Sequence, residues 1–397
     1  MSRQQNLAVI VGLCGVFGIA AWAFYLRAFA ATPAEDWMVY YTTIRAYFDG
    51  KLALIYDGES VTALLNARFA TWLSHPLPLH PWLYPPHYLL LLLPFGLLPF
   101  APAGVIFLLL GFIALLAAAF AFVPRGMPRR LCAFSLLLCP ATAITVCLGQ
   151  NTFLTCALLL GGFAALPRRP LLAGILFGLL TYKPQLWLMV PVALLAGRHW
   201  RVLAATALTA LVLALLSTMV FGLDAWREWI AVMTKPSALY EQWNVIARLN
   251  GQSIYTNAVL LGAPVPIANV LQGVSTLLAA AAVWWCYSRP ITADMRIAVL
   301  LAATMLAAPH VIDYDALMLG IAATFLALRA FADGFRRGEA ILIVLLWVSP
   351  LVNPPSIFPV GFATPLVILL FAAAVMGRGR SQPLLRSGHA ALGFPPP

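Results

Sequence analysis

The chain has 397 residues, 62% hydrophobic and 9% charged, against about 25% charged in a soluble globular domain. Its formal net charge is +11, yet the basic residues form short clusters between apolar runs, with no basic stripe interleaved with aromatics. That pattern excludes a nucleic-acid partner and marks the cytoplasmic loops of an integral membrane protein. The fold class expected is therefore an all-α polytopic protein, one membrane domain over residues 1–397.

The first apolar run, residues 7–29, is longer than a secretory h-region. It reads as an uncleaved first helix, although Ala28 and Ala30 resemble a cleavage site. A polar stretch over 31–82 follows, carrying Glu35, Asp36, Tyr40, Tyr41, Tyr56 and Asp57. Asp36 comes only a few residues after the first helix, which puts a carboxylate at the membrane surface. It serves there either as the N-cap of an amphipathic helix or as a general base toward a sugar hydroxyl. The next run, 83–100, opens Tyr84-Pro85-Pro86-His87 and holds Pro94 and Pro99. His87 and its tyrosine neighbours either contact a ligand or belong to an interfacial aromatic belt.

Further apolar runs cover 103–123, 131–148, 151–167, 170–183, 185–197, 201–221, 264–287, 297–312, 314–331, 339–352 and 361–376. The clusters Arg125/Arg129/Arg130, Arg168/Arg169, Arg198/Arg201, Arg336/Arg337 and Arg378/Arg380 separate them. With every cluster in the cytoplasm, alternation puts loop 222–263 outside and residues 377–397 inside as a tail. The same parity forbids 83–100 from crossing. Its prolines break helical hydrogen bonding, and non-spanning backbone at membrane depth needs protein or water around it. The expectation is about twelve transmembrane helices, both termini inside, and a first outer loop, 31–102, that includes a juxtamembrane segment. Ten of the 13 acidic residues then fall outside.

The outer turns carry Gln150, Lys183 and the stretch His310 to Asp315. Lys183 either neutralises a phosphate or snorkels to the headgroups. In the second outer loop Arg248 either grips a phosphate or is solvated. One histidine and two carboxylates in the His310 segment point to function. Asp313-x-Asp315 has the form of a metal-binding pair, but it faces away from cytoplasmic nucleotide sugars, so no metal and no cofactor are expected. Six cysteines lie in apolar runs without zinc or disulfide spacing. Walker, dinucleotide-binding, nucleophile-elbow and zinc-protease motifs do not occur.

Taken together, Tyr40-Tyr41 with Tyr56-Asp57, Tyr84-Pro85-Pro86, Gly149-Gln150-Asn151, Ala173-Gly174 with Lys183-Pro184, Gly197-Arg198-His199-Trp200-Arg201, and Pro309-His310 with Tyr314 resemble a known family. From about residue 30 to residue 320 the chain is similar to the bacterial polyprenol-phosphate-mannose-dependent α-mannosyltransferases. These form glycosyltransferase family 87 of the GT-C superfamily. The resemblance implies a GT-C-type fold with juxtamembrane helices in the first outer loop. It implies transfer of a hexose, mannose in characterised members, from a polyprenyl-phosphate sugar donor to a glycolipid or glycan acceptor. The reaction would take place on the outer face of the bacterial inner membrane. Asp36 matches the family's catalytic aspartate, and His310 matches a second polar site beside it. Lys183, Arg248, Gln150, Tyr84, His87, Tyr41, Asp57 and Asp315 would surround the donor phosphate and sugar. A phosphate leaves without protonation, so inversion by single displacement needs no second carboxylic acid of the glycosidase kind. Two other classes stay open: a transporter of lipid-linked sugars, expected to carry polar groups near the bilayer midplane, and a non-catalytic subunit of an envelope-polysaccharide assembly.

Overall fold

Proline and glycine cut the apolar runs into helices. The computed structural model describes residues 2–31, 33–234 and 251–351. The expected last run at 361–376, the tail 377–397 and Arg248 lie outside the described residues. Among the described residues the backbone is helical, with one isolated antiparallel bridge between Gly251 and Ile312.

The helices, in order, are α1 (Arg3–Ala31), α2 (Glu35–Phe48), α3 (Gly58–Arg68), α4 (Pro86–Leu92), α5 (Phe100–Ala119), α6 (Arg129–Leu138) and α7 (Pro140–Leu148). Then come α8 (Thr152–Ala165), α9 (Pro170–Leu179), α10 (Pro184–Trp187), α11 (Met189–Ala196), α12 (Trp200–Phe221) and α13 (Leu223–Thr234). The last among the described residues are α14 (Ile254–Leu260), α15 (Val265–Tyr287), α16 (Ala293–Ala307), α17 (Leu317–Asp333) and α18 (Glu339–Val348).

Among the described residues five helical stretches are long and apolar enough to cross a membrane: Arg3–Ala30, Phe100–Phe122, Trp200–Phe221, Val265–Tyr287 and Asp313–Asp333. The pair α6 and α7 makes a sixth if taken as one span, bent by 58°. Pro140 stands at the bend, where a ring in place of an N–H interrupts the helix. Other apolar helices are shorter; α8 has 14 residues, about 21 Å at 1.5 Å per residue against a hydrocarbon core of about 30 Å. Residues 83–100, expected not to span, contain α4 and a 3-10 turn, Leu93–Leu97.

The helices run alternately between two ends. Helix α8 starts beside Gln150 and leads to Arg168; α9 returns to Lys183; α11 leads to Arg198; α16 starts near Arg296 and ends near His310. One end therefore collects the polar turns of Gln150, Lys183 and His310, and the other collects the arginine clusters between the runs. The Arg3 guanidinium ties the start of α1 to the arginine end, donating to the Ala332 carbonyl at 2.9 Å and the Asp333 carbonyl at 3.3 Å. Arg329 and Asp294 join α17 to α16 there by two hydrogen bonds of 2.7 and 2.8 Å. Small residues let backbones meet: Gly174 and Gly178, one turn apart on α9, face Ala205 and Thr209 of α12.

Candidate active site

The site begins where α1 gives way to α2. Ala34 takes a left-handed conformation, φ 53°, as the residue before α2. Its N–H donates to the Cys147 carbonyl at 3.1 Å, which docks the start of α2 on the end of α7. Gly149 ends α7 with φ 72°, and a Cβ there would collide with Trp37. Trp37 is itself buried, stacked on Phe107 with ring centroids 5.0 Å apart, its indole N–H donating to the Phe100 carbonyl at 3.1 Å. These contacts fix Asp36 in the first turn of α2, facing the turn between α7 and α8.

No side chain caps α2; its N-cap residue is Ala34, so the capping role for Asp36 does not apply. Asp57 performs that role for α3, accepting the Ser60 N–H at 2.7 Å, and this hydrogen bond holds its carboxyl below the usual range. Asp36 is instead half-buried on the wall of a cavity of about 330 Å³. Burial pushes its carboxyl up to about 6, against the opposing pull of His80, a Gln150 hydrogen bond and Lys183.

Gln150 is oriented by its neighbours. Its Oε1 accepts the Tyr40 hydroxyl at 2.7 Å and the Asn151 N–H at 3.0 Å. That leaves the amide N–H groups as the donors to Asp36. The Tyr40 and Tyr84 hydroxyls lie 2.9 Å apart, and since Tyr40 donates to Gln150, Tyr84 donates to Tyr40. A chain of hydrogen bonds thus runs from Tyr84 through Tyr40 and Gln150 to Asp36. Beneath it lies an aromatic floor: Tyr88 stacks on Trp82 at 5.8 Å and on Tyr182 at 4.3 Å. Tyr40, Tyr88 and Tyr182 are buried, and Tyr84 partly so, rather than spread along an interfacial belt.

Across the cavity, Lys183 is 3% exposed and its ammonium lies 3.1 Å from an Asp315 carboxylate oxygen. It is held in the protein and does not snorkel. Its ammonium also sits 5.3 Å from the Tyr314 ring centroid. The other Asp315 oxygen accepts the Ile312 N–H at 3.3 Å. His310 lines the same cavity, and burial pushes its imidazole below the usual range, which makes it neutral at pH 7. Helix α13 covers one side with Trp229, whose indole donates to the Leu83 carbonyl at 3.1 Å. Among the described residues no group of three His, Cys, Asp or Glu is placed to hold a metal ion.

Of the residues expected at the site, the structure brings Asp36, His310, Lys183, Gln150, Tyr84 and Asp315 to one cavity. The other described ones lie elsewhere. Tyr41 donates to the Leu98 carbonyl at 2.9 Å and packs on Phe100, and Asp57 caps α3. His87 is buried against Trp226, 3.3 Å from the Thr181 hydroxyl. Tyr40, not Tyr41, shares the cavity with Asp36, as the four-residue helical spacing requires. His80 is the cavity residue that sequence reading passed over; its signal was a histidine among prolines in the same outer loop as Asp36.

The family model for glycosyltransferase family 87 matches residues 82–309, more than half of the chain. No curated protein and no solved structure matches.

Proposed function

The chain belongs to glycosyltransferase family 87 and is a membrane glycosyltransferase, and from that premise we propose that it moves a hexose, mannose first among the candidates, from a polyprenyl-phosphate donor to a glycolipid or glycan acceptor. The reaction takes place at the polar end of the bundle, on the extracytoplasmic side of the bacterial inner membrane. What carries this reading is one arrangement: the Asp36 carboxyl, oriented by Gln150, shares a cavity of about 330 Å³ with Lys183. That volume is near the low end of ligand pockets, about 300–1,000 Å³, and suits one sugar headgroup.

The steps follow from the residues. The Asp36 carboxylate takes the proton of the acceptor hydroxyl as its oxygen bonds to the anomeric carbon. The bond from that carbon to the phosphate oxygen breaks, and its electron pair leaves with the polyprenyl phosphate. Lys183 and Arg248 stabilise the departing charge, with Lys183 held in place beforehand by Asp315. Neutral His310 supplies a hydrogen bond rather than a charge. Attack and departure on opposite faces invert the anomeric centre. The ionisable groups of the cavity, Asp36, Lys183, His310 and Asp315, stand at or beside helix ends, which favours transfer over transport.

The test is direct. Purified protein in nanodiscs is given polyprenyl-phosphate mannose, glucose, galactose or arabinose with a crude glycolipid acceptor fraction. Label transferred from one donor, with release of polyprenyl phosphate, is the expected result. Movement of intact donor across a vesicle membrane without sugar transfer would replace this reading with the transporter.

A further inference from the structure

An ion pair stands beside Asp36 on the cavity wall. Glu35, the preceding residue on α2, pairs with the His80 ring through Nε2. His80 Nδ1 lies 2.7 Å from the Pro78 carbonyl oxygen. A backbone carbonyl and a carboxylate both accept, so both ring nitrogens must donate, and an imidazole that donates twice is a cation. The residue is also pinned through its backbone: its N–H donates to the Thr62 hydroxyl at 2.9 Å, and that hydroxyl donates to the Gly58 carbonyl at 2.6 Å. Three separate elements therefore hold one imidazolium on the cavity wall beside Asp36.

The two adjacent acids divide the work. Neighbouring positions on a helix point about 100° apart, so Glu35 and Asp36 cannot both face the cavity centre. Glu35 turns to His80, and Asp36 is left on the cavity wall. An opposite charge beside a carboxylate favours its ionised form, whereas burial disfavours it.

Resting on Asp36 as the base, we propose that His80 is a positioning residue: an imidazolium locked between Glu35 and Pro78 that keeps Asp36 in its carboxylate form. Its direction of action on Asp36 is opposite to that of burial, and burial acts on His80 itself in the lowering sense, overcome by the hydrogen bond and charge of Glu35. Other groups act on Asp36 from the surrounding elements. Glu35 works from α2, Lys183 and the Gln150 amide from their turns, and Asp313 and Tyr314 from the connection after α16. Tyr40 and Tyr84 face it as neutral phenols. A His80 variant removes the imidazolium and leaves Glu35 without its ion-pair partner; both changes act on Asp36 in the raising sense.

Two measurements decide it. Infrared titration of the Asp36 carboxylate, taken as the difference between each protein and its Asp36→Asn form, needs no substrate. His80→Gln should move that titration, and the acid limb of transfer from polyprenyl-phosphate mannose, to higher pH by roughly half a unit or more; His80→Lys, which restores a cation, should bring both back. A nitrogen NMR spectrum of histidine-labelled, unmutated protein should show the His80 ring protonated on both nitrogens at about pH 7. The proposal is overturned if His80→Gln lowers the rate equally at all pH with the titration unmoved, or if the His80 ring is neutral at that pH. Should Asp36→Asn retain transfer, the base assignment fails by itself, while the infrared and NMR results still judge His80.

Discussion

The Lys183 ammonium and the Asp315 carboxylate meet at 3.1 Å across 132 residues of chain, with side-chain exposures of 3% and 4%. Two charges so deeply buried hold the turn after α9 against the connection after α16, the two sides of the cavity. Removing one partner leaves the other buried and uncompensated, a loss of about 3–5 kcal/mol. Lys183→Met should therefore lower the thermal unfolding temperature sharply. Lys183→Met with Asp315→Asn should recover most of that stability yet remain inactive in hexose transfer. Recovery of both stability and activity would show that Lys183 is only a strut.

The pH dependence has a definite sign. A general base works only when ionised, and burial sets the Asp36 carboxyl at about 6. Transfer should fall as the pH drops through about 6, with a slope of one proton, and be level between about 7 and 8. A pH–rate profile of kcat/KM on purified protein measures this. A limb near pH 4 would place the base in a solvated position unlike that of Asp36.

Gly149 adopts φ 72°, and a Cβ on it would strike Trp37. Both effects oppose Gly149→Ala: a left-handed backbone that L side chains resist, and a collision that pushes α2 off α7. The variant should lose more than about 1 kcal/mol of stability and lose activity beyond that, because Asp36 and Gln150 separate. Thermal unfolding and transfer rate measured together test it. Gly126 has φ 82° with open space around its Cβ position. Gly126→Ala carries the backbone effect alone and should leave the transfer rate unchanged.

Orientation is testable apart from catalysis. A reporter fused after Pro124 should be cytoplasmic, and one fused after Gly222 should be extracytoplasmic. The clusters at Arg168/Arg169, Arg198/Arg201 and Arg336/Arg337 lie at one end of the bundle and the cavity at the other, so a reversed result at either position would move the chemistry to the other face.

The parts of this site visible in sequence were those set by chain-local rules. Charge alternation along the runs, and proline pairs such as Pro85-Pro86, locate the polar turns. Asp36, Gln150, Lys183 and His310 all stand at such turns, and the fold gathers them into one cavity. What sequence did not reveal depended on pairing between distant segments. Nothing local says that Lys183 meets Asp315, or that Glu35 turns to His80. From sequence Tyr41 is expected near the donor, and the structure places Tyr40 in the cavity instead, because helical phase is set only once the start of α2 is known. Span counting met a similar limit: α8, with 14 residues, is shorter than a bilayer-crossing helix by length alone.

In the proposed reaction the Asp36 carboxylate deprotonates the acceptor during sugar transfer. The most direct measurement compares wild-type protein with Asp36→Asn, an isosteric change, in nanodiscs supplied with labelled polyprenyl-phosphate mannose and acceptor. Binding of the donor, read separately by labelled-donor retention, should change little. The transfer rate should fall by about 10²–10⁴, the usual contribution of a general base. Transfer by Asp36→Asn at the wild-type rate, with folding and donor binding intact, would contradict the account.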